Sequence, residues 1–274
     1  MKKDVFIRAG AMFFLFVLAY LTTFEWMWDR WFSEGSYYSH GILVPIISAI
    51  LIWQKRDILK KIRSKPSLGG NWLFLAGIIV HILSIIFRVY FTSGFSMIMV
   101  LAGFVLAVYG RDFLKEVLFP VIFLVFMVPI PIVIIINISF QMKLLAAHMA
   151  TVMLNVINIP AIQQGSYIHL EHASIVVEDV CSGLRSLIAL MALGALFAYW
   201  LRAGMGKKTV LFLSSVPIAL ITNMLRIMFL AMVSEFWGTQ YVPGLVEDVS
   251  GLSVFVLAFL LLSWVEKLLE QRAL

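Results

Sequence analysis

Long apolar runs recur along the whole chain, and they constrain its fold more than any other feature. Eight runs are long enough, or nearly so, to cross a hydrocarbon layer of about 30 Å as helices; they cover about 5–24, 40–54, 71–89, 93–110, 117–136, 183–201, 208–233 and 249–265. Only 13% of the residues are charged, against about 25% in soluble chains. Because lipid offers the backbone no hydrogen-bond partners, the sequence predicts an all-α polytopic membrane protein, one integral membrane domain over 1–274.

The basic residues lie in segments that share one side of the membrane if the eight runs alternate in direction. The segments include 55–65, after the second run, and 202–208, after the sixth, whereas the opposite side is mainly acidic. Basic loops are retained in the cytoplasm, so the pattern predicts a multi-pass protein with both termini in the cytoplasm. Topology accounts for the net charge of +6, and no nucleic-acid partner is expected.

The segment between the fifth and sixth runs lies outside the cytoplasm in this topology. Pro129 and Pro131 end the fifth run, and 137–156 has helical periodicity, which predicts a helix lying in the interface. A ninth helix, re-entrant or spanning, is the alternative. Residues 165–179 alternate apolar and polar side chains, a pattern that predicts a short β-hairpin outside the membrane, before the sixth run.

The only cysteine, Cys181, directly precedes the sixth run. A helix N-terminus lowers the pKa of a nearby thiol and favours the nucleophilic thiolate. If the helix has begun by Cys181, Arg185 lies one turn further on the same face and adds positive charge. The alternative is a small apolar filler with no reactive role. A single cysteine excludes an internal disulfide and a cysteine-cluster metal site.

Arg226 lies about two-thirds of the way along the seventh run. An arginine at that depth is costly unless it is paired or hydrated, so it marks a functional site; an arginine that extends to the interface is the alternative. Asn223 precedes it by three residues and could hold the guanidinium. The predicted topology places further polar side chains in the same outer layer as Cys181 and Arg226: His40, His169, His172, Glu247 and Asp248.

These imidazoles and carboxylates also raise the possibility of a metal site, which would include Glu178 and Asp179. The chain has no HExxH spacing and no helical carboxylate–histidine pair of the kind that binds zinc. We therefore expect no metal and no cofactor.

Four motifs, in order along most of the chain, resemble those of the exosortases, membrane transpeptidase-like enzymes of Gram-negative bacteria. They are Tyr38–Pro45 (YSHGILVP), Phe126–Pro131 (FMVPIP), Cys181–Leu187 (CSGLRSL) and Pro217–Ile227 (PIALITNMLRI).

The resemblance implies a multi-pass protein of the bacterial inner (cytoplasmic) membrane, with a cysteine active site at the periplasmic face that acts on exported proteins. Their C-terminal sorting signal would be a Pro-Glu-Pro-type (PEP-CTERM) motif, an apolar helix and a basic tail, and a lipid or glycan could be the acceptor. By the family pattern Cys181 is the nucleophile and Arg226 the essential arginine. Where the family has a histidine in a His-x-x-x-Gly pattern, this chain has Glu247 before Gly251. We expect Glu247 to occupy that place, with His40 the first substitute base and His172 or His169 the next.

A transporter or membrane scaffold with an outer-leaflet Arg/His site is the rival from another functional class. A permeation path needs polar residues that continue into the cytoplasmic half, often beside broken helices. The third, fourth and fifth runs contain few such residues, so the sequence favours the enzyme.

Overall fold

The structure, a computed structural model, describes residues 14–178 and 181–271, and these are mostly helical. The chain divides into two compact units, Met1–Ile130 and Pro131–Leu274. In the first unit, residues 14–19 are helical and are followed by α1 Leu21–Phe32, α2 Leu43–Gln54, α3 Arg56–Leu59, α4 Leu68–Ile86, α5 Tyr90–Val108 and α6 Arg111–Phe123. The second unit contains α7 Ile132–Val156, β1 Ile162–Gln164, β2 Tyr167–His169, β3 Ser174–Val176, α8 Leu184–Trp200, α9 Met205–Trp237 and α10 Leu245–Gln271.

Among the described residues, five helices are long and apolar enough to cross a membrane: α4, α5, α7, α9 and α10. Two shorter apolar helices match the second and sixth predicted runs: Ser39–Gln54, which is a 3-10 turn (Ser39–Ile42) that continues into α2, and Leu184–Trp200, which is α8. The prediction of a helical, multi-pass membrane protein is therefore confirmed. The count of eight spans and the cytoplasmic placement of both termini stay predictions, and residues 5–13 of the first run lie outside the described residues.

The fifth predicted run, 117–136, does not form one helix. Helix α6 ends at Phe123, a 3-10 turn covers Leu124–Met127, and α7 begins at Ile132, directly after Pro131. Proline lacks an N–H and disfavours helix in the residue before it, so Pro129 and Pro131 separate the two helices. At 25 residues, α7 has the length of a spanning helix, which favours the alternative to an interfacial helix.

Helices α4 and α5 pack closely because glycines lie along their contact. A Cβ on Gly70 would collide with the backbone of Ala107, one on Gly103 would collide with the backbone of Phe74, and one on Gly77 would lie 2.7 Å from Val100. Small residues allow close backbone approach where lipid provides no hydrophobic drive for association.

His81, on α4, is a hydrogen-bonded residue of the first unit's interior. Its Nδ1 lies 2.9 Å from Ser93 Oγ, and its Nε2 lies 2.9 Å from the carbonyl oxygen of Ala19. Ser93 Oγ is also 2.6 Å from Thr23 Oγ1. These buried polar groups satisfy one another's hydrogen-bonding capacity, as polar groups within a membrane must. Their presence is therefore explained without a transported ligand.

The predicted β-hairpin is part of a larger element, a three-stranded antiparallel sheet in the order β1-β2-β3. Tyr167 pairs with Val176 across β2 and β3, and Ile162 pairs with His169 across β1 and β2. The hairpin prediction was therefore correct for β2 and β3 and omitted β1.

Cys181 lies in the core of the second unit, where α7, the sheet and α9 meet. The α7 side of this core contains Leu154 and three small residues, two of them Ala147 and Ala150, while Ile227 and Ala231 come from α9. Small side chains on α7 let the segment that carries Cys181 approach closely. The single thiol is thus held by three elements.

Candidate functional site

Cys181 lies in a turn before α8, because that helix begins only at Leu184. Its N–H donates to the carbonyl oxygen of Glu178 at 3.0 Å. Gly183 has φ +80°, and a Cβ there would come within 2.8 Å of the Asn223 side chain, so glycine suits both the backbone and the contact. The helix has not begun at Cys181, so the condition under which Cys181 and Arg185 would share a helix face is not met.

Asn223 holds the backbone of the turn that carries Cys181. Its Nδ2 donates to the carbonyl oxygen of Cys181 at 3.0 Å, and the residue is 3% exposed. Among the described residues, the hydrogen bonds of the Arg226 guanidinium go to Ser250 and Glu247 and none goes to Asn223, so the suggestion that Asn223 holds the guanidinium is not realised.

The guanidinium of Arg226 is held by the first turn of α10. Its Nε donates to Ser250 Oγ at 3.2 Å, and its Nη2 donates to the carbonyl oxygen of Glu247 at 3.2 Å. The Glu247 carboxylate adds a charged contact, with 3.9 Å between Arg226 Nη2 and Glu247 Oε1. The arginine side chain is 10% exposed, and such pairing is what an arginine in a membrane helix requires.

Ser250 is a member of the site that sequence reasoning missed. Besides accepting from Arg226, its Oγ donates to the carbonyl oxygen of Glu247 at 2.8 Å. Its position three residues after Glu247 was the available signal, since residues three apart on a helix lie on one face.

The thiol of Cys181 donates to the carboxylate of Glu247, with 3.8 Å between Sγ and Oε1. Glu247 is 32% exposed at the side chain. Cys181, Arg226 and Glu247, which belong to three separate segments, therefore meet within the second unit, with the carboxylate contacting both the thiol and the guanidinium.

Burial raises the pKa of the Cys181 thiol above its ordinary value. The positive charge of Arg226 acts in the opposite direction, while Glu247 and Glu178 raise the pKa further. The residue is only 7% exposed, and loss of water disfavours the charged thiolate. The expectation of a lowered thiol pKa was wrong, because burial outweighs the nearby positive charge.

A cleft of about 390 Å³ opens beside the thiol. Its described lining comes from β3, the segment from Glu178 to Cys181, α9, the connection from α9 to α10, and the start of α10. It consists of Ser174, Ile175, Val176, Glu178, Cys181, Leu230, Ser234, Thr239, Val242, Pro243 and Glu247. The thiol and the carboxylate therefore face the same cleft.

The predicted histidines have other contacts. His40 belongs to the first unit, where it hydrogen-bonds the backbone of Phe126. His172 Nδ1 lies 2.9 Å from Glu235 Oε1, and this hydrogen bond raises the pKa of His172. His169 Nδ1 lies 2.8 Å from Ser174 Oγ. The suggestion that one of these histidines acts as the catalytic base stays a prediction.

Two further predicted residues lie next to the central three in sequence. Asp248 is exposed in the first turn of α10, where a negative charge is favourable at a helix N-terminus. The buried Nε of Arg185 has no hydrogen-bond partner among the described residues. Their supporting roles stay predictions.

Within the described part of the chain, one group of possible metal ligands has its atoms within 4.8 Å of one another: Glu171, His172 and Glu235. Of these, only His172 belonged to the metal site considered from the sequence. The backbone N–H of His172 also donates to both oxygens of Glu235 at 3.1 Å. The Glu235 carboxylate thus anchors the β2–β3 turn to α9, which accounts for the cluster without an ion.

Alkylation of Cys181 by iodoacetamide is expected to rise with pH, with a midpoint above the ordinary thiol value of about 8.5, because burial raises this pKa. Glu247→Gln removes a negative charge and should lower the midpoint. Arg226→Gln removes a positive charge and should raise it. Mass spectrometry can follow the rate from the single cysteine; an unshifted midpoint in both variants would contradict the described contacts.

A family model described as transmembrane exosortase matches residues 28–264, nearly the whole chain. No curated protein and no solved structure matches the sequence. The matched range contains all four motifs noted above as well as Cys181, Arg226 and Glu247.

Proposed function

Because the chain belongs to the transmembrane exosortase family, we propose that it cleaves the C-terminal sorting signals of exported proteins through the thiol of Cys181. Family membership gives it a role in sorting-signal processing as a multi-pass membrane protein. The observation that carries the finer proposal is the hydrogen bond from the Cys181 thiol to Glu247, whose carboxylate also contacts Arg226. A nucleophile within reach of a base, itself oriented by a third group, is typical of covalent catalysis.

Attack begins with a protonated thiol, since the pKa of Cys181 is raised. Glu247 takes the thiol proton as the sulfur forms a bond to the scissile carbonyl carbon. Such coupled proton transfer avoids a free thiolate in a buried site, and a general base of this kind contributes about 10²–10⁴-fold.

Arg226 stabilises the negative charge that develops on the carbonyl oxygen and orients Glu247. Its positive charge already acts on the Cys181 sulfur, and its bonds to Ser250 and to the Glu247 backbone fix its direction. A donor held in place before the reaction stabilises the transition state without reorganisation.

Collapse of the tetrahedral intermediate breaks the carbon–nitrogen bond, and Glu247 returns the proton to the leaving amine. The upstream part of the substrate then remains on Cys181 as a thioester. Water or an acceptor amine attacks this thioester, gives its proton to Glu247, and Glu247 re-protonates the departing sulfur. Hydrolysis and transfer therefore use the same three residues.

The proposed substrates carry a Pro-Glu-Pro-type motif, an apolar helix and a basic tail, and they reach the site at the periplasmic face of the inner membrane. The tail stays in the cytoplasm through its positive charge, which leaves the motif at the outer surface near Cys181. A reporter with such a tail tests the function, because cleavage shortens it by a defined length on a gel.

Variants at position 247 test the base. Glu247→Gln should lower reporter cleavage about 10²-fold or more, since the amide cannot take the thiol proton. Glu247→His should retain far more activity than Glu247→Gln, because imidazole titrates near neutral pH. If Glu247→Gln cleaves as fast as the parent protein in a time course, the assigned base is wrong.

A further inference from the structure

The free edge of the sheet carries unpaired backbone groups. Val177 N–H donates to the Ser166 oxygen at 2.9 Å, and Leu170 N–H donates to the Ala173 oxygen at 2.8 Å. Hydrogen-bonded pairs alternate along an antiparallel ladder. In the observed register, therefore, Ile175 bonds to β2, and the N–H and C=O groups of Ser174 and Val176 point away from it.

This edge faces the cleft that contains the thiol. Ser174 and Val176 line it together with Cys181 and Glu247. Among the described residues, the outward backbone groups of Ser174 and Val176 have no hydrogen-bond partner. An exposed strand edge is a template for an added strand, and here the template lies beside the proposed nucleophile.

We propose that β3 is the substrate-docking edge: the extended substrate segment N-terminal to the scissile bond adds to the sheet as a fourth strand along Ser174–Val176. The proposal rests on the proposed function and names how the substrate is held. Backbone bonds to an added strand give affinity that is largely independent of the side chains of the bound segment.

The direction of β3 gives the orientation of the bound segment. The chain runs from β3 through Cys181 into the apolar helix α8. A sorting signal likewise runs from the exported protein through the scissile bond into an apolar helix. Parallel pairing therefore places the scissile carbonyl near Cys181 and the preceding residues beside β3.

Val176→Pro tests the pairing in the full-length protein in membranes. Proline removes the outward N–H at an edge position that bonds to no other strand, where it is tolerated. Val176→Ala retains the N–H and measures the side-chain contribution alone. We expect kcat/KM for the reporter to fall about tenfold more in Val176→Pro than in Val176→Ala, mainly through a higher KM. The reason is that proline loses one hydrogen bond to the substrate and its ring obstructs the added strand.

Disulfide crosslinking gives a second measurement that does not depend on activity. Val176→Cys, in a Cys181→Ala background, is combined with single cysteines along the reporter. Crosslinks at alternate reporter positions indicate a strand and support the proposal. Crosslinks without that period, no crosslink at all, or equal cleavage by Val176→Pro and Val176→Ala would each overturn it. These outcomes would leave the proposed function intact as long as the parent protein cleaves the reporter and Cys181→Ala does not. Equal cleavage by the parent protein and Cys181→Ala would instead contradict the proposed function itself.

Discussion

Cys181→Ala is expected to abolish cleavage of a sorting-signal reporter, with a loss of at least about 10³-fold, because no nucleophile remains to form the acyl intermediate. Cys181→Ser should be nearly as inactive, since a hydroxyl ionises far less readily than a thiol. The carboxylate that accepts the thiol hydrogen bond stays in place in both variants. The measurement is the fraction of reporter shortened in a time course, at matched levels of enzyme in the membrane.

The alanine variant should fold. Cys181 is buried among small side chains of α7 and residues of α9, and loss of one sulfur atom from such a core costs about 1 kcal/mol. Ser253→Ala, on α10, is the matched control, because Ser253 is exposed and, within the part of the chain that the structure describes, its hydroxyl bonds only to the backbone of Val249. If well-folded Cys181→Ala cleaved the reporter at the parent rate, the thiol of Cys181 would not be the nucleophile.

Arg226→Gln is expected to lower reporter cleavage by about 10²–10³-fold, the usual result of losing a charged donor to the developing oxyanion. Glutamine has no positive charge for the carboxylate, and its single amide cannot replace the two donated bonds to Ser250 and Glu247. Arg226→Lys should lose nearly as much, since lysine lacks the planar fork of donors.

Arg202→Gln is the control for the removal of an arginine, because Arg202 is exposed after α8. It should cleave the reporter at the parent rate. A thermal shift assay in detergent separates lost catalysis from lost folding. If Arg226→Gln and Arg202→Gln cleaved equally well, Arg226 would be only a structural partner of α10.

The three central residues could be found in the sequence because each is chemically conspicuous where it lies. Cys181 is the only thiol, Arg226 is a charge inside an apolar run, and Glu247 stands where a related motif has histidine. The alternation of the runs and the bias of basic loops predicted that the three share one layer. The structure brings them into contact.

The bonding within the site could not be predicted, because it depends on distances between helices. Spacing along α9 suggested Arg226 as the partner of Asn223. The amide donates to Cys181 instead, beside the close approach of Gly183 to Asn223. The raised pKa of the thiol depends on its burial by α7 and α9, which sequence spacing does not reveal. Hydropathy likewise could not separate α6 from α7, because apolar residues flank the prolines on both sides.

A thioester on Cys181 is the species to look for. The parent protein, mixed with reporter and quenched in acid during turnover, should show by mass spectrometry an adduct of the upstream reporter fragment on the peptide that contains Cys181. Neutral hydroxylamine should release that adduct. An adduct on a different residue, or active turnover with no adduct while Cys181→Ala continues to cleave, would contradict covalent catalysis by this thiol.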